Sequence, residues 1–440
     1  MQYPRKKTRK AIGLAACISV CSLALAGCSG GKSSEAKDVD FENVDYSGTI
    51  SIITRYADSE NNDFIPMLAE AFQEQHPDVT FDIVQESDQG YKDKVKVLTS
   101  SNSLPDIYFT WPGEYTQQFV DAGLALDLSS QVAPGTQWGD TIVPSALASG
   151  KYNDAYYGIP VQINAKFVLY NKAMFEENGI EIPEDMGDFL AVCDTLKDAG
   201  VEPLSFGNQY GWPGLHYLTQ LNAYNVPAET LAADYAAQGD GKFDDPGYEQ
   251  SLEQFTEILD HCMTNGEEAN GILHNDAKAD WNSGKTAMAY LEWFEFVDNG
   301  MPADEWDFFV LPPAADAAGT PSMLLGAPDL FMVNPKGDNP ALATEFLKFV
   351  ASKEGADVIL ETMPNLPSPV IGVVNEENSS EHDAKALALI NDSSEFAVWI
   401  DTLAYAPVAT AYLSGGEALV SKSETPEEVM KAIQEAATGQ

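Results

Sequence analysis

Between residues 49 and 110 the chain alternates two hydrophobic periods, and this alternation restricts the possible fold more than any other feature. Residues 49–54, Thr-Ile-Ser-Ile-Ile-Thr, are β-branched and read as a strand. Phe64, Met67, Leu68, Ala71 and Phe72 then recur at helical spacing, with a stop expected near His76 and Pro77. Val79, Phe81 and Ile83 alternate as a second strand. Residues 91–101 carry Val95, Val97 and Leu98 as a second helix, and residues 106–110 form a third strand. Strand, helix, strand, helix, strand is the pattern of a parallel sheet joined by crossover helices. Ligands of such sheets gather at the carboxyl ends of the strands. Residues 55–58 and 111–115 are therefore expected to share a rim.

The same reading continues along the chain. Residues 151–159 suggest a hairpin around Asn153 and Asp154. Residues 157–172 are extended chain leading into a strand at 166–170, with a helix beginning after Asn171; this stretch is read as the first crossing between two lobes. Pro183 and Asp185 open a further helix, with Asp185 as N-cap and Asp188 three residues on. Trp212 and Pro213 open another, and residues 248–262 place Leu252, Phe255, Ile258 and Leu259 on one helical face. Residues 286–291 form a strand running into Glu292, Trp293 and Phe294. Residues 323–333 are extended and apolar, and helices are expected at 340–350 and 353–360. Pro364, Pro367 and Pro369 bracket another crossing segment.

Residues 1–27 are set aside as a targeting segment. Arg5, Lys6, Lys7, Arg9 and Lys10 precede an apolar run at 11–26 that ends in Leu-Ala-Gly before Cys28. This resembles the lipobox of bacterial lipoproteins, which implies lipidation at Cys28. Residues 28–47 then form a flexible tether that holds the body to a membrane outside the cytoplasm. The remaining length favours two domains. Removing the five basic residues of the leader from 24 leaves 19, against 68 acidic residues. A surface so negative argues against nucleic acid and against adsorption on anionic lipid. Beyond Cys28 only Cys193 and Cys262 remain. One disulfide is possible, but two separate buried thiols are the favoured reading. The histidines, at 76, 216, 261, 274 and 382, lack ligand-like spacing, so no metal site or cofactor is expected.

Several spaced motifs carry a wider resemblance. They begin with Leu98-Thr99-Ser100-Ser101 followed by Leu104-Pro105-Asp106-Ile107, then Gly158-Ile159-Pro160, Tyr170-Asn171-Lys172, Phe175, Gly179-Ile180 and Pro183. Gly284-Lys285-Thr286-Ala287-Met288 with Trp293 comes next, then residues 343–349 with Ser352-Lys353-Glu354, and last Gly415 or Gly416 with residues 425–428. In this order the chain resembles the extracellular sugar-binding lipoproteins of ABC importers, the solute-binding family 1 type. It departs from them in having Met186 in place of a usual tryptophan and in lacking a glycine near Asn102. The resemblance implies an α/β, two-lobed periplasmic-binding-protein-like fold of type II, with the ligand cleft between the lobes. The implied lobes are 48–158 plus 328–365 and 160–326 plus 367–440. Residues 326–329 and 365–367 would be the other hinge crossings.

A sugar offers hydroxyls around a patchily apolar face, so its binder needs planar rings and short polar groups. Trp293 and Trp111 are the leading candidates for stacking, followed by Trp212 and Trp281. Tyr56 and Asp58 end the first strand, Gln162 and Asn164 lie on the first crossing, and Asp329 lies on the second. Glu114 and Glu292 are candidate acceptors. Arg55 is the only arginine beyond the leader. It could hold a uronic or sialic acid carboxylate, but a bridge to local acids such as Asp58 or Glu60 is favoured. The one G-x-S-x-G string, residues 27–31, falls at the join of leader and tether and not on a strand-to-helix turn; no P-loop or H-E-x-x-H motif is present, and no carboxylate pair stands out for glycoside hydrolysis. The expected function is a non-enzymatic, lipid-anchored receptor that closes on a sugar or oligosaccharide and delivers it, as a monomer, to an ABC permease. A binder of cationic solutes such as polyamines and a surface glycan-degrading enzyme are the alternatives.

Overall fold

The computed structural model describes residues 39–58, 63–263, 265–298, 300–360, 368–375, 379–393 and 396–439. The side chains of residues 58, 297, 298 and 391 lie outside this description. The predicted alternation becomes a sheet of five strands in the order β2, β1, β3, β12, β6. Here β1 is Gly48–Thr54, β2 Val79–Gln85, β3 Ile107–Thr110, β6 Gly158–Gln162 and β12 Asp329–Val333. The first three run parallel and β12 returns antiparallel between β3 and β6. The helices Phe64–Gln75 and Asp88–Ser100 make the crossovers. The second of these begins three residues before the expected position, because Ser87 caps it and accepts from Gly90 N.

A second sheet has the order β10, β7, β9, β8, with β7 at Lys166–Asn171, β8 at Glu202–Ser205, β9 at Thr286–Glu292 and β10 at Trp306–Phe309. Two short ladders complete the strands. The first is the hairpin of β4 (Lys151–Tyr152) and β5 (Ala155–Tyr156), whose turn residues Asn153 and Asp154 have φ of 47° and 67°. The second pairs β11 (Leu324–Leu325) with β13 (Phe396–Ala397).

The chain leaves the first sheet at Gln162 and enters the second at Lys166, so the crossing spans residues 163–165. A return crossing at 326–328 runs beside it, with Ala165 bridged to Gly326 and Ala327 N donating to Asn164 O at 3.1 Å. A Cβ on Gly326 would stand 2.3 Å from that same Asn164 oxygen, so only glycine allows the two crossings to lie this close. The apolar run at 323–333 is therefore two strands with a crossing between them. The crossing expected at 365–367 lies outside the described residues.

Asp185 and Asn171 cap their helices as expected, accepting from Asp188 N and Met174 N. The helices Pro340–Val350 and Lys353–Leu360 fall where predicted. One expectation is corrected. Cys193, in helix Met186–Asp198, is bonded to Cys262 at the end of helix Pro246–Cys262, with Cα atoms 4.9 Å apart. The two helices pack side by side and bring the thiols together across 69 residues, a proximity that sequence spacing does not reveal. Among the described residues no helix is long and apolar enough to cross a membrane. No described group of His, Cys, Asp or Glu could hold a metal ion.

Candidate functional site

Strand direction assembles the site. The carboxyl ends of β1, β3 and β6 and the start of β12 meet at one edge of the first sheet, where Asp329 is in register with Gln162. Arg55, Tyr56 and Trp111 follow directly on the two parallel strands. In the second sheet Lys166 is in register with Glu292, placing both at its edge.

At the first edge Arg55 Nη2 donates to both oxygens of Asp329, at 2.9 and 3.1 Å, and Nη1 donates to Asp88 at 3.3 Å. Tyr56 Oη donates to Asp329 Oδ2 at 3.1 Å. The rings of Phe109, Tyr56, Trp111 and Phe294 lie 5.1 to 6.0 Å from the guanidinium carbon. Burial disfavours the charge on Arg55, but Asp329 and Asp88 outweigh it and keep the group cationic. The favoured expectation, a bridge to acids, holds in kind: the described partners are Asp329 and Asp88, while the side chain of Asp58 and residue Glu60 lie outside the described residues.

At the second edge Asn164 Nδ2 donates to Glu292 Oε2, and Lys166 Nζ donates to His216 Nδ1 at 3.0 Å. Glu292 N donates to Glu295, which also takes His274 at 2.8 Å. Burial pushes the Glu292 carboxyl up to about 7, against the pull of Lys166. Burial also lowers Lys166, although Glu292 and Glu295 draw it back. Burial, reinforced by Lys166, holds His216 well below its usual value, so the ring is neutral and its Nδ1 accepts the hydrogen bond from Lys166.

The edges belong to different sheets but touch. Phe294 reaches Arg55, and Lys92, 4.8 Å from the Trp111 ring, pairs with Asp401 at 3.4 Å. Beside them lies a cavity of about 400 Å³. Residues 113–117 and 149–152 line one side, and the helices Trp212–Asn225 and Ala228–Ala236 with residues 396–398 line the other. Gln238 Nε2 donates across it to Glu114 at 2.8 Å.

Of the residues singled out from sequence, Arg55, Tyr56, Trp111 and Asp329 form one cluster. Asn164 and Glu292 join the other, and Trp212 packs on His216 and His274 with Lys166 above its ring. Gln162 is buried beside Asp329, and Glu114 faces the cavity. Trp293 is a correction. It is 2% exposed, its Nε1 donates to Asp383 at 2.8 Å, and its ring packs in a core with Trp281 and Phe308. The chain turns into a 3-10 helix at this residue, so Phe294 reaches the edge instead. Trp281 is likewise core. The side chain of Asp58 lies outside the described residues.

Sequence reasoning missed Asp88, Lys92, Lys166, His216, Phe294 and Trp399, the last of which stacks on His216 at 4.2 Å. The one available signal was Lys166, a lysine heading an otherwise apolar strand.

The profile of the bacterial extracellular solute-binding protein family matches residues 57–357. The multiple sugar-binding protein of Streptococcus mutans is 22% identical over 408 residues, 90% of each chain. A solved structure from work on xylan utilization by the thermophilic bacterium Caldanaerobius polysaccharolyticus superposes with a TM-score of 0.79 at 22% identity, covering 88% of this chain and 99% of that one. A chitin oligosaccharide binding protein gives 0.78 at 17% identity, covering 90% and 99%. These likenesses establish the two-lobed α/β fold of periplasmic binding proteins, and the match over residues 57–357 places the chain in the bacterial extracellular solute-binding protein family.

Proposed function

We propose that this protein is the sugar-capturing receptor of an ABC importer, anchored to the membrane through lipid on Cys28 and acting as a monomer. The lobes are the expected 48–158 plus 328–365 and 160–326 plus 367–440, with the first boundary moved to 162 and 166 because Gly158–Gln162 pairs in the first sheet and Lys166–Asn171 in the second; they close on a carbohydrate and present the closed form to the permease. The observation that carries this reading is the meeting of two sheet edges, rich in aromatic rings and paired polar groups, beside a cavity of about 400 Å³. That volume lies in the ~300–1,000 Å³ range of small-molecule sites. A multiple sugar-binding protein, a structure from work on xylan utilization and a chitin oligosaccharide binding protein among the similar chains support the same ligand class. Its role is binding, and no catalytic step is assigned to it.

A thermal-shift screen of the purified protein against mono- and oligosaccharides tests this. A ligand at 100 times its Kd stabilises a fold by about 2.7 kcal/mol, which is readily seen. Silence toward every glycan, with a shift for a polyamine or another non-sugar, would reject the proposal. The anchor is tested separately: labelled fatty acid should be incorporated into the wild type and not into Cys28→Ser.

A further inference from the structure

We infer that the cleft selects uncharged glycans and rejects both uronic-acid oligosaccharides and polycations; this rests on the sugar-binding reading above. Discrimination in favour of a charged ligand requires a charge left over at the site. Arg55, the only arginine beyond the leader, spends both terminal nitrogens on Asp329 and Asp88. Lys166 is 1% exposed and committed to His216 beside Glu292, and Lys92 pairs with Asp401. The acids are equally engaged: Asp329 holds Arg55 and Tyr56, and Glu292 holds Asn164. A uronate brought to Arg55 would meet Asp329 and Asp88 at close range. An ammonium brought to Glu292 would meet Lys166. Either would enter an enclosed site without a free counter-charge among the described residues.

Two enclosed polar atoms at these edges have no hydrogen-bond partner among the described residues, Arg55 Nε and Asn164 Oδ1. One is a donor and the other an acceptor. A hydroxyl both gives and takes a hydrogen bond, so hydroxyl groups match both atoms. A carboxylate matches only the first and an ammonium only the second. The adjoining cavity repeats the balance. Among the described residues its one carboxylate, Glu114, is held by Gln238, and its one ammonium, Lys151, is held by Asp154. Thr116, Gln117 and Thr219 supply the neutral polar lining.

Isothermal titration at fixed ionic strength decides the matter, using the purified protein with neutral di- to tetrasaccharides, uronic-acid oligosaccharides of the same lengths, and spermidine. The best neutral glycan should bind at least ~100-fold more tightly than any uronic counterpart or spermidine, the scale set by an unpaired charge in an enclosed site. A uronic oligosaccharide or spermidine binding within tenfold of it, or more tightly, overturns the inference. In Asp329→Asn the guanidinium loses its principal counter-charge, and the preference for neutral over uronic glycans should narrow at least ~tenfold; an unchanged preference in a folded variant also overturns it. Where that variant does not fold, the wild-type titration still decides. If uronic glycans bind best, sugar binding stands and this inference alone falls; if no glycan binds, both fall.

Discussion

Arg55 and Asp329 are joined across 274 residues, and the pair is nearly shut off from water, at 15% and 4% side-chain exposure. Breaking such a pair costs more than the pair contributes, since it strands a buried charge. Asp329→Ala should therefore lower stability by about 3–5 kcal/mol, while Arg55→Met with Asp329→Leu should recover most of the loss. Urea unfolding checks this; a single variant within about 1 kcal/mol of wild type would show the pair to be well hydrated. His216 supports a second expectation. Its folded-state value is depressed, so the unfolded chain binds the proton first and stability falls as pH drops below the ordinary histidine value of 6.5. The raised Glu292 value acts in the opposite direction, its cost appearing as pH rises toward 7, but it is common to both proteins when a variant is compared with wild type. His216→Gln loses the stacking on Trp399, so it should melt below wild type at pH 8, and the gap should close toward pH 5. Melting curves at pH 5, 6.5 and 8 measure it, and a constant gap rejects the assignment. The sequence announced Arg55 by its solitude. It could not announce Asp88, or that Asp329 is the arginine's partner, among so many acids, because partner choice depends on sheet order and not on residue type.

At the scale of elements, the bond between Cys193 and Cys262 ties the helices Met186–Asp198 and Pro246–Cys262 together. Closing a loop of 69 residues constrains the unfolded chain by about 4 kcal/mol. A Cys193→Ser/Cys262→Ser protein should lose a comparable stability and keep its ligand affinity, because neither cysteine contributes to the two edges. Denaturant titration and ligand titration together check it, and an unchanged midpoint would show that the cross-link constrains nothing. Local signals read well in this chain: hydrophobic period and caps gave Pro340–Val350, Lys353–Leu360 and the start at Met186. What failed was long-range. Residues 323–333 share one apolar character yet divide between two ladders, since hydrophobicity records burial and not which sheet supplies it. Trp293 failed for a related reason: a tryptophan after a strand suits either a core or a cleft, and the 3-10 turn that follows decides which.

For the whole molecule the question is what lets the two edges meet. Gly113 follows Trp111 and Pro112 with φ of 91°, and an added Cβ would stand 2.6 Å from Leu403 Cα and 3.0 Å from Thr402 O. Those atoms belong to the short helix Ile400–Leu403, which packs against both the helix Trp212–Asn225 and the helix Glu114–Asp121. Backbone lies in the way rather than a movable side chain, so a methyl group there can be accommodated only if the facing surfaces separate. A ligand shifts such an equilibrium only by its differential affinity for the closed form, and Gly113→Ala should therefore lower apparent affinity and enlarge the protein in solution. Part of the effect of any Gly→Ala change at positive φ is backbone strain. Gly123 isolates that part, having φ of 63° and nothing within 4 Å of the point where an added methyl group would stand. Gly113→Ala should weaken glycan binding by at least ~tenfold, a loss of about 1.4 kcal/mol, and raise the radius of gyration by small-angle scattering. Gly123→Ala should lose stability without either change. Were the two variants to bind alike, contact between Gly113 and Leu403 would have no part in closure, and the meeting of the edges would rest on the Lys92–Asp401 and Glu114–Gln238 pairs.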